Sequence, residues 1–153
     1  MKKLTRPIVY LVILLVAIAL TTGCGVVVDK VTGGGWFIDE RTDSKCTFGF
    51  NAQEKDNPGA EKNDKVFTGQ FQFQVTGKDG IKFHLEEMIW FEGWSLVGNE
   101  ASFGGYDKDG NWVSVTVTDM GEPGAGSGDW ILIVHETLGI WAGVIDGGNI
   151  QVH

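Results

Sequence analysis

The sequence predicts an all-β fold, an antiparallel β-sandwich or flattened barrel of about nine or ten strands. Three observations lead there. Apolar and polar residues alternate with period two through most of the chain. Asp-Gly steps and polar, glycine-bearing breaks separate the alternating runs. No long stretch repeats the apolar spacing of a helix, although glycine supplies 23 residues and proline only 3. No sequence repeat recurs at a fixed period, which argues against a solenoid or propeller.

The first segment stands apart from this pattern. Lys2, Lys3 and Arg6 carry positive charge without an acid to offset it, and an apolar run follows from Ile8 to Leu20. A run of that length suits the apolar part of a signal peptide and falls short of the ~20 residues that span a bilayer as a helix. Leu20, Thr21, Thr22, Gly23 and Cys24 then resemble a bacterial lipoprotein signal, although a larger aliphatic is usual where Thr21 stands. That resemblance implies cleavage before Cys24 and lipidation of its thiol. Residues 1–23 are then a signal peptide, 24–30 a short tether and 31–153 the β-domain. Two other readings stay open: ordinary secretory cleavage after Ala17-Ile18-Ala19, and an uncleaved anchor extending through Val26-Val27-Val28. All three place the β-domain outside the cytoplasm, because the positive end stays inside.

Cleavage before Cys24 removes 23 of the 153 residues, with three bases and no acid, leaving 130 residues with 20 acids, 9 bases and a net charge of −11. So acidic a surface repels phosphate backbones, and nucleic acid is excluded as an expected partner. The membrane is reached through the lipid anchor instead of by charge. A chain of this length forms one domain and needs no disulfide to fold. Cys46, alternating with Phe48 and Phe50, reads as a small buried apolar residue. Were Cys24 left unmodified, a Cys24–Cys46 bridge is conceivable.

The alternating runs follow in order. "VTGGGWF" places glycines where strands approach closely or bulge. "FTGQFQFQV" sets Phe67, Phe71, Phe73 and Val75 against Thr68, Gln70, Gln72 and Gln74. "IKFHL" sets Ile81, Phe83 and Leu85 against Lys82 and His84, and "VSVTVT" sets Val113, Val115 and Val117 against Ser114, Thr116 and Thr118. Each pattern fits a strand with one face on a core and one in water. "GKDG" and "DKDGN" are tight turns between strands. Ala52–Lys65 and Met120–Gly128 read as solvated loops. "WILIV", Trp130–Val134, is apolar on both faces and reads as a central strand.

Several segments, taken together and in order, resemble the post-COAP domain family: "VTGGGW", "CTFGFNA", "FTGQFQFQ", "GNEASFGG", "VTVTDMGEPGAGSGD" and the terminal "GGNIQVH". That resemblance covers Val31 to His153. It implies a small β-rich module of a secreted or surface protein with no established catalytic activity, and it supplies no catalytic residues.

The chemistry-bearing residues point the same way. His84, His135 and His153 form no metal-ligand spacing with one another or with cysteine, and no metal or cofactor is expected. Glu86-Glu87 and Asp39-Glu40 are adjacent carboxylates, which alternate to opposite faces of a strand and so make no glycosidase pair by themselves. Nucleophile elbow, phosphate loop and dinucleotide fingerprint are all missing from the sequence. "YDKDGNW" has the look of half a calcium loop but lacks its closing glutamate, and a hairpin turn is the expectation. Of the six tryptophans, Trp90, Trp130 and Trp141 are expected in the core. Trp112 shares parity with the polar face of its strand, and Trp94 follows Gly93 at an expected bend. These two are the ligand-binding candidates, suited to stacking on a sugar or docking a partner. The functional expectation is a non-catalytic, lipid-anchored binding or structural module of the cell envelope. Its alternatives are an envelope glycan-binding protein using exposed aromatics, or a hydrolase whose site would include His135 or Glu136.

Overall fold

The computed structural model describes residues 26–27, 29–57, 65–77, 80–95, 99–121 and 128–153. Among these residues there are eleven strands: β1 (Val26–Val27), β2 (Lys30–Asp39), β3 (Ser44–Asp56), β4 (Lys65–Val75), β5 (Lys82–Glu92), β6 (Trp94–Ser95), β7 (Glu100–Asp107), β8 (Trp112–Thr118), β9 (Trp130–His135), β10 (Gly139–Val144) and β11 (Gly147–Val152). Nine of them form one antiparallel sheet in the order β10-β9-β8-β7-β5-β4-β3-β2-β11. β10 and β11 are separated by only Ile145 and Asp146 yet lie at opposite edges, so the sheet must curl until its edges approach. Asp146 joins them: its N–H donates to the Trp36 carbonyl at 3.0 Å, and its carboxylate accepts the Ile38 N–H at 3.0 Å. The all-β expectation holds, with no helix among the described residues.

The curl is produced in β5. β4 pairs with β5 only from Lys82 to His84, and β7 pairs with it from Leu85 to Glu92. Register shifts fall between Leu85 and Glu87 and between Met88 and Trp90. Each extra residue bends the strand and increases its twist. The buried positions record this directly, moving from Phe83 and Leu85 to Met88 and Phe91, so a spacing of two becomes three. β5 thereby leaves one half of the sheet (β11, β2, β3, β4) and enters the other (β7, β8, β9, β10).

The two halves share one core. Phe71, Phe73, Val113 and Val115 are at most 1% exposed, as their parity predicts. Phe50, Phe71 and Phe103 meet with centroids 5.3 and 6.0 Å apart, and Trp141 lies 4.9 Å from Phe73. Cys46 is fully buried, and burial followed by the nearby Asp39 charge pushes its thiol up to about 11, so it is inert as a nucleophile at neutral pH. Glycines do permit close packing: a Cβ on Gly33 would lie 2.6 Å from the Phe50 ring, and one on Gly35 would collide with the Gly147 carbonyl.

Several expectations need correction. The loop placed at Ala52–Lys65 begins too early, since β3 runs on to Asp56 and Ala52 is buried opposite Gly69; residues 58–64 lie outside the described residues. Part of the expected tether is paired, with Val26 opposite Ser95 and Val27 opposite Trp94. Of the three tryptophans expected in the core only Trp141 is there; Trp90 and Trp130 are half-buried. Trp130 falls on the outer face because β9 buries Ile131, Ile133 and His135, the alternate set. The bulge beside Leu85 leaves both Glu86 and Glu87 exposed instead of one on each face. Cys24 lies outside the described residues. So does the rest of the N-terminal segment to Gly25.

Candidate functional site

Rows of outward side chains follow from the register of β11, β2, β3, β4 and β5. One row reads Asn149, Gly34, Gly49, Gln72, His84; the next reads Gln151, Thr32, Asn51, Gln70; the third reads Gly147, Trp36, Thr47, Gln74, Lys82. The alternation that sends phenylalanines inward therefore lays carboxamides outward, above a floor of glycine. Gly34 has only backbone within 4 Å of where its Cβ would stand, and the Gln72 amide lies 3.2 Å from where a Gly49 Cβ would be.

A cavity of about 710 Å³ opens over this face, lined in part by Asn51, Gln70, Gln72, Lys82, His84 and Glu86. A second of about 200 Å³ continues it past Thr47 and Gln74. Its origin is the bend in β5. Beyond the Gln72–His84 pair the two strands part, and the space between them becomes a groove. Hydrogen bonding has organised some of its walls. Asn51 Oδ1 accepts the Gln70 N–H at 2.9 Å, and His84 Nε2 lies 2.7 Å from Glu86 Oε1 on the exposed rim. Among the described residues the side chains of Gln70, Gln72, Gln74 and Lys82 have no protein partner. Each carboxamide offers both donor and acceptor, the pattern that hydroxyl-rich neutral ligands require. Asn149 adds an Oδ1 shielded from solvent that accepts no bond.

The sequence candidates lie elsewhere. Trp112 does face outward, half-buried, and Tyr106 is its cross-strand neighbour, edge to face at 5.5 Å. Its indole and that of Trp90 cover Gly104, where a Cβ would be 3.2 and 3.4 Å from the two rings. Tyr106 is the ring it meets, and the Trp90 indole lies over the same glycine. Trp94 is placed by its backbone in β6, away from the groove strands β3 and β4.

His135 and Asp107 form a buried pair, with Nε2 3.1 Å from Asp107 Oδ2. The Thr137 and Leu138 N–H groups both donate to Nδ1 at 3.2 Å, so the ring proton resides on Nε2 and is given to Asp107. Neither ring nitrogen is left for a substrate. Glu136 accepts the Trp112 N–H at 2.9 Å and serves the same turn. Burial acts to raise the Asp107 carboxyl, but the Asn111 N–H, the Asn111 amide, His135 and the Asp109 N–H outweigh it and hold the carboxyl down to about 2. Its oxygens face N–H donors, which is the chemistry of a closed hairpin turn and the reverse of a calcium site. Among the described residues no cluster of three or more His, Cys, Asp or Glu could hold a metal.

No family model, curated protein or solved structure matches the chain. The groove's signal was present in "FTGQFQFQ": three glutamines at alternate positions on one strand face. What the sequence did not reveal is that β5 bends beside them and turns a flat polar face into a cavity.

Proposed function

We propose that this protein is a non-catalytic, lipid-anchored binding module of the cell envelope, of post-COAP type, whose ligand is a neutral glycan held on the carboxamide face. The observation that carries the reading is the groove of about 710 Å³ with unpartnered Gln70, Gln72 and Lys82 along its walls. Vicinal hydroxyls pair with carboxamides by donating and accepting at once, and a partly dehydrated groove strengthens those bonds. The acidic surface disfavours anionic glycans, and the single wall lysine does not reverse that balance. The anchor rests on Cys24 and the charge–apolar–small–cysteine order that precedes it.

Titration of the full chain in detergent with neutral envelope oligosaccharides tests the binding role. Gln72→Ala and Gln74→Ala should each weaken binding about tenfold, the size of one lost hydrogen bond, while leaving the melting temperature unchanged. Binding that ignores both changes, or no binding by any neutral oligosaccharide, would sink the reading. Fatty-acid labelling of the wild type and not of Cys24→Ser tests the anchor.

A further inference from the structure

The strand "VTGGGWF" and its partner β11 hold one glycine more than their packing needs. At Gly33 a Cβ would press into the Phe50 ring, at Gly35 it would strike the Gly147 carbonyl, and at Gly147 it would strike the Trp36 indole. The fold demands those three. It does not demand Gly34. A Cβ there would meet only the Phe48 carbonyl at 3.6 Å and the Gly49 Cα at 3.9 Å, which is ordinary contact. Gly34 is also absent from the positive-φ residues and sits inside a regular ladder. A glycine in a strand interior weakens the strand, and one that packing leaves unclaimed marks a close approach by a ligand.

The dent over Gly34 lies on the carboxamide face, one strand beyond the groove. Gly49, which lines the groove, is its partner on β3, and Asn149 is its partner on β11. Trp36 is the next outward residue along β2. Its half-buried indole leans toward β11, with Nε1 over Gly147, and the Lys45 ammonium rests on the ring at 4.1 Å from its centroid. Lys45 is exposed and has no carboxylate partner among the described residues, so it can leave the ring without breaking an ion pair. Asn149 Oδ1 is shielded from solvent and accepts no bond. A half-turn of that carboxamide brings the oxygen to the surface, where a hydroxyl can donate to it.

We propose that this dent is a second sugar subsite, which takes one pyranose unit of a neutral glycan whose preceding units fill the groove. The inference rests on the glycan reading of the groove and extends it. One strand spacing, about 4.8 Å, is close to the length of one pyranose unit. A chain that crosses the strands from the groove therefore sets its next ring over Gly34. Bare backbone is the floor there, and Trp36 is the wall. A pyranose with equatorial hydroxyls offers an apolar C–H surface to the indole and a rim of hydroxyls to carboxamides. Asn149 serves that rim on the β11 side. Gln72, whose amide lies over Gly49, serves it on the groove side. Lys45 moves from the ring face to the hydroxyls. The ligand class narrows accordingly to extended neutral chains of equatorially substituted pyranoses, and short sugars leave the second subsite empty.

A length series of neutral β-linked gluco-oligosaccharides, titrated against the full chain in detergent, reads the second subsite apart from the first. Affinity should rise about tenfold at the length that first reaches from the groove to Gly34. Gly34→Ile fills the dent with a side chain that the strand accommodates. It should abolish the rise and leave the affinity for the shortest bound oligosaccharide unchanged. Trp36→Ala should do the same, and Trp36→Phe should keep most of the rise. In two-dimensional NMR the indole N–H of Trp36 should shift with long chains and stay in place with short ones. Affinity that does not depend on length, or a rise that survives Gly34→Ile at the wild-type melting temperature, would overturn the subsite and leave the groove reading standing. Absence of binding at every length would bring down both. Should Gly34→Ile not fold, Trp36→Ala decides, and a rise that survives it overturns the proposal.

Discussion

The two halves of the sheet share a core and present opposite outer faces. Across β11, β2, β3 and β4 the outward residues are mostly glycine, threonine, asparagine, glutamine and lysine, with Trp36 beside Lys45 at 4.1 Å, Ile38 and Val66 the apolar exceptions. Across β7, β8, β9 and β10 they include Tyr106, Trp112, Trp130, Leu132, Val134 and Ile140. The contrast teaches that parity alone does not decide what faces water. In the first half, inward phenylalanines leave polar neighbours that make a groove. In the second half, outward aromatics are large enough to cover one another, as Trp112 covers Gly104 and meets Tyr106. A half-buried outer layer results, where the sequence suggested either an exposed ligand platform or a side chain beneath a loop.

Perturbations on the two sides of each half can break this contrast. The largest effect belongs to the shared core. Phe73→Ala should destabilise the domain by about 3–5 kcal/mol in denaturant unfolding, because Phe83 and Trp141 would both lose a ring contact. A loss below 1 kcal/mol would mean that the halves do not share a core. Trp112→Ala comes next, at about 1–3 kcal/mol, since the half-buried indole loses Tyr106 and uncovers Gly104. If it costs nothing, the outer layer is not packed and Trp112 returns as a ligand candidate.

Asp107→Asn should cost about 1–2 kcal/mol near neutral pH, where the carboxylate holds the Asp107–Asn111 turn and His135 together. The pH dependence has a definite sign. A carboxyl lowered from 3.8 to about 2 on folding adds stability above its unfolded value, and that stability is lost as pH falls through the folded one. The gap between wild type and Asp107→Asn should therefore be constant above about pH 5 and close between about pH 4 and 2. A gap that persists unchanged at pH 2 would contradict the hydrogen-bonded turn. Smallest of all, Gln72→Ala should shift stability by less than about 0.5 kcal/mol, as an exposed side chain without partners.

Much of the fold was legible because alternation is a local property. "FTGQFQFQV" and "VSVTVT" each state which face is buried, and Phe71, Phe73, Val113 and Val115 are where they state it. Alternation fails where the chain departs from regular pairing. The bulges in "LEEMIWFE" reset the phase twice, which is why Glu86 and Glu87 share exposure and Trp90 leaves the core. The groove depends on that same bend, so its glutamines were visible as a polar face but not as a cavity wall. The edges were illegible for a different reason. Asp119 and Asp129 reach β11 across 33 and 21 residues of sequence, and only the closed curl brings them there.

The central claim is that the carboxamide face, and not the aromatic face, meets the ligand. Side-chain amide and indole resonances can be followed together in one two-dimensional NMR titration with a neutral envelope oligosaccharide. The carboxamide NH₂ signals of Gln70, Gln72 and Gln74 should shift progressively and saturate while the indole N–H of Trp112 stays in place. Movement of the Trp112 signal with unmoved glutamines would contradict the claim and return the ligand to the aromatic face.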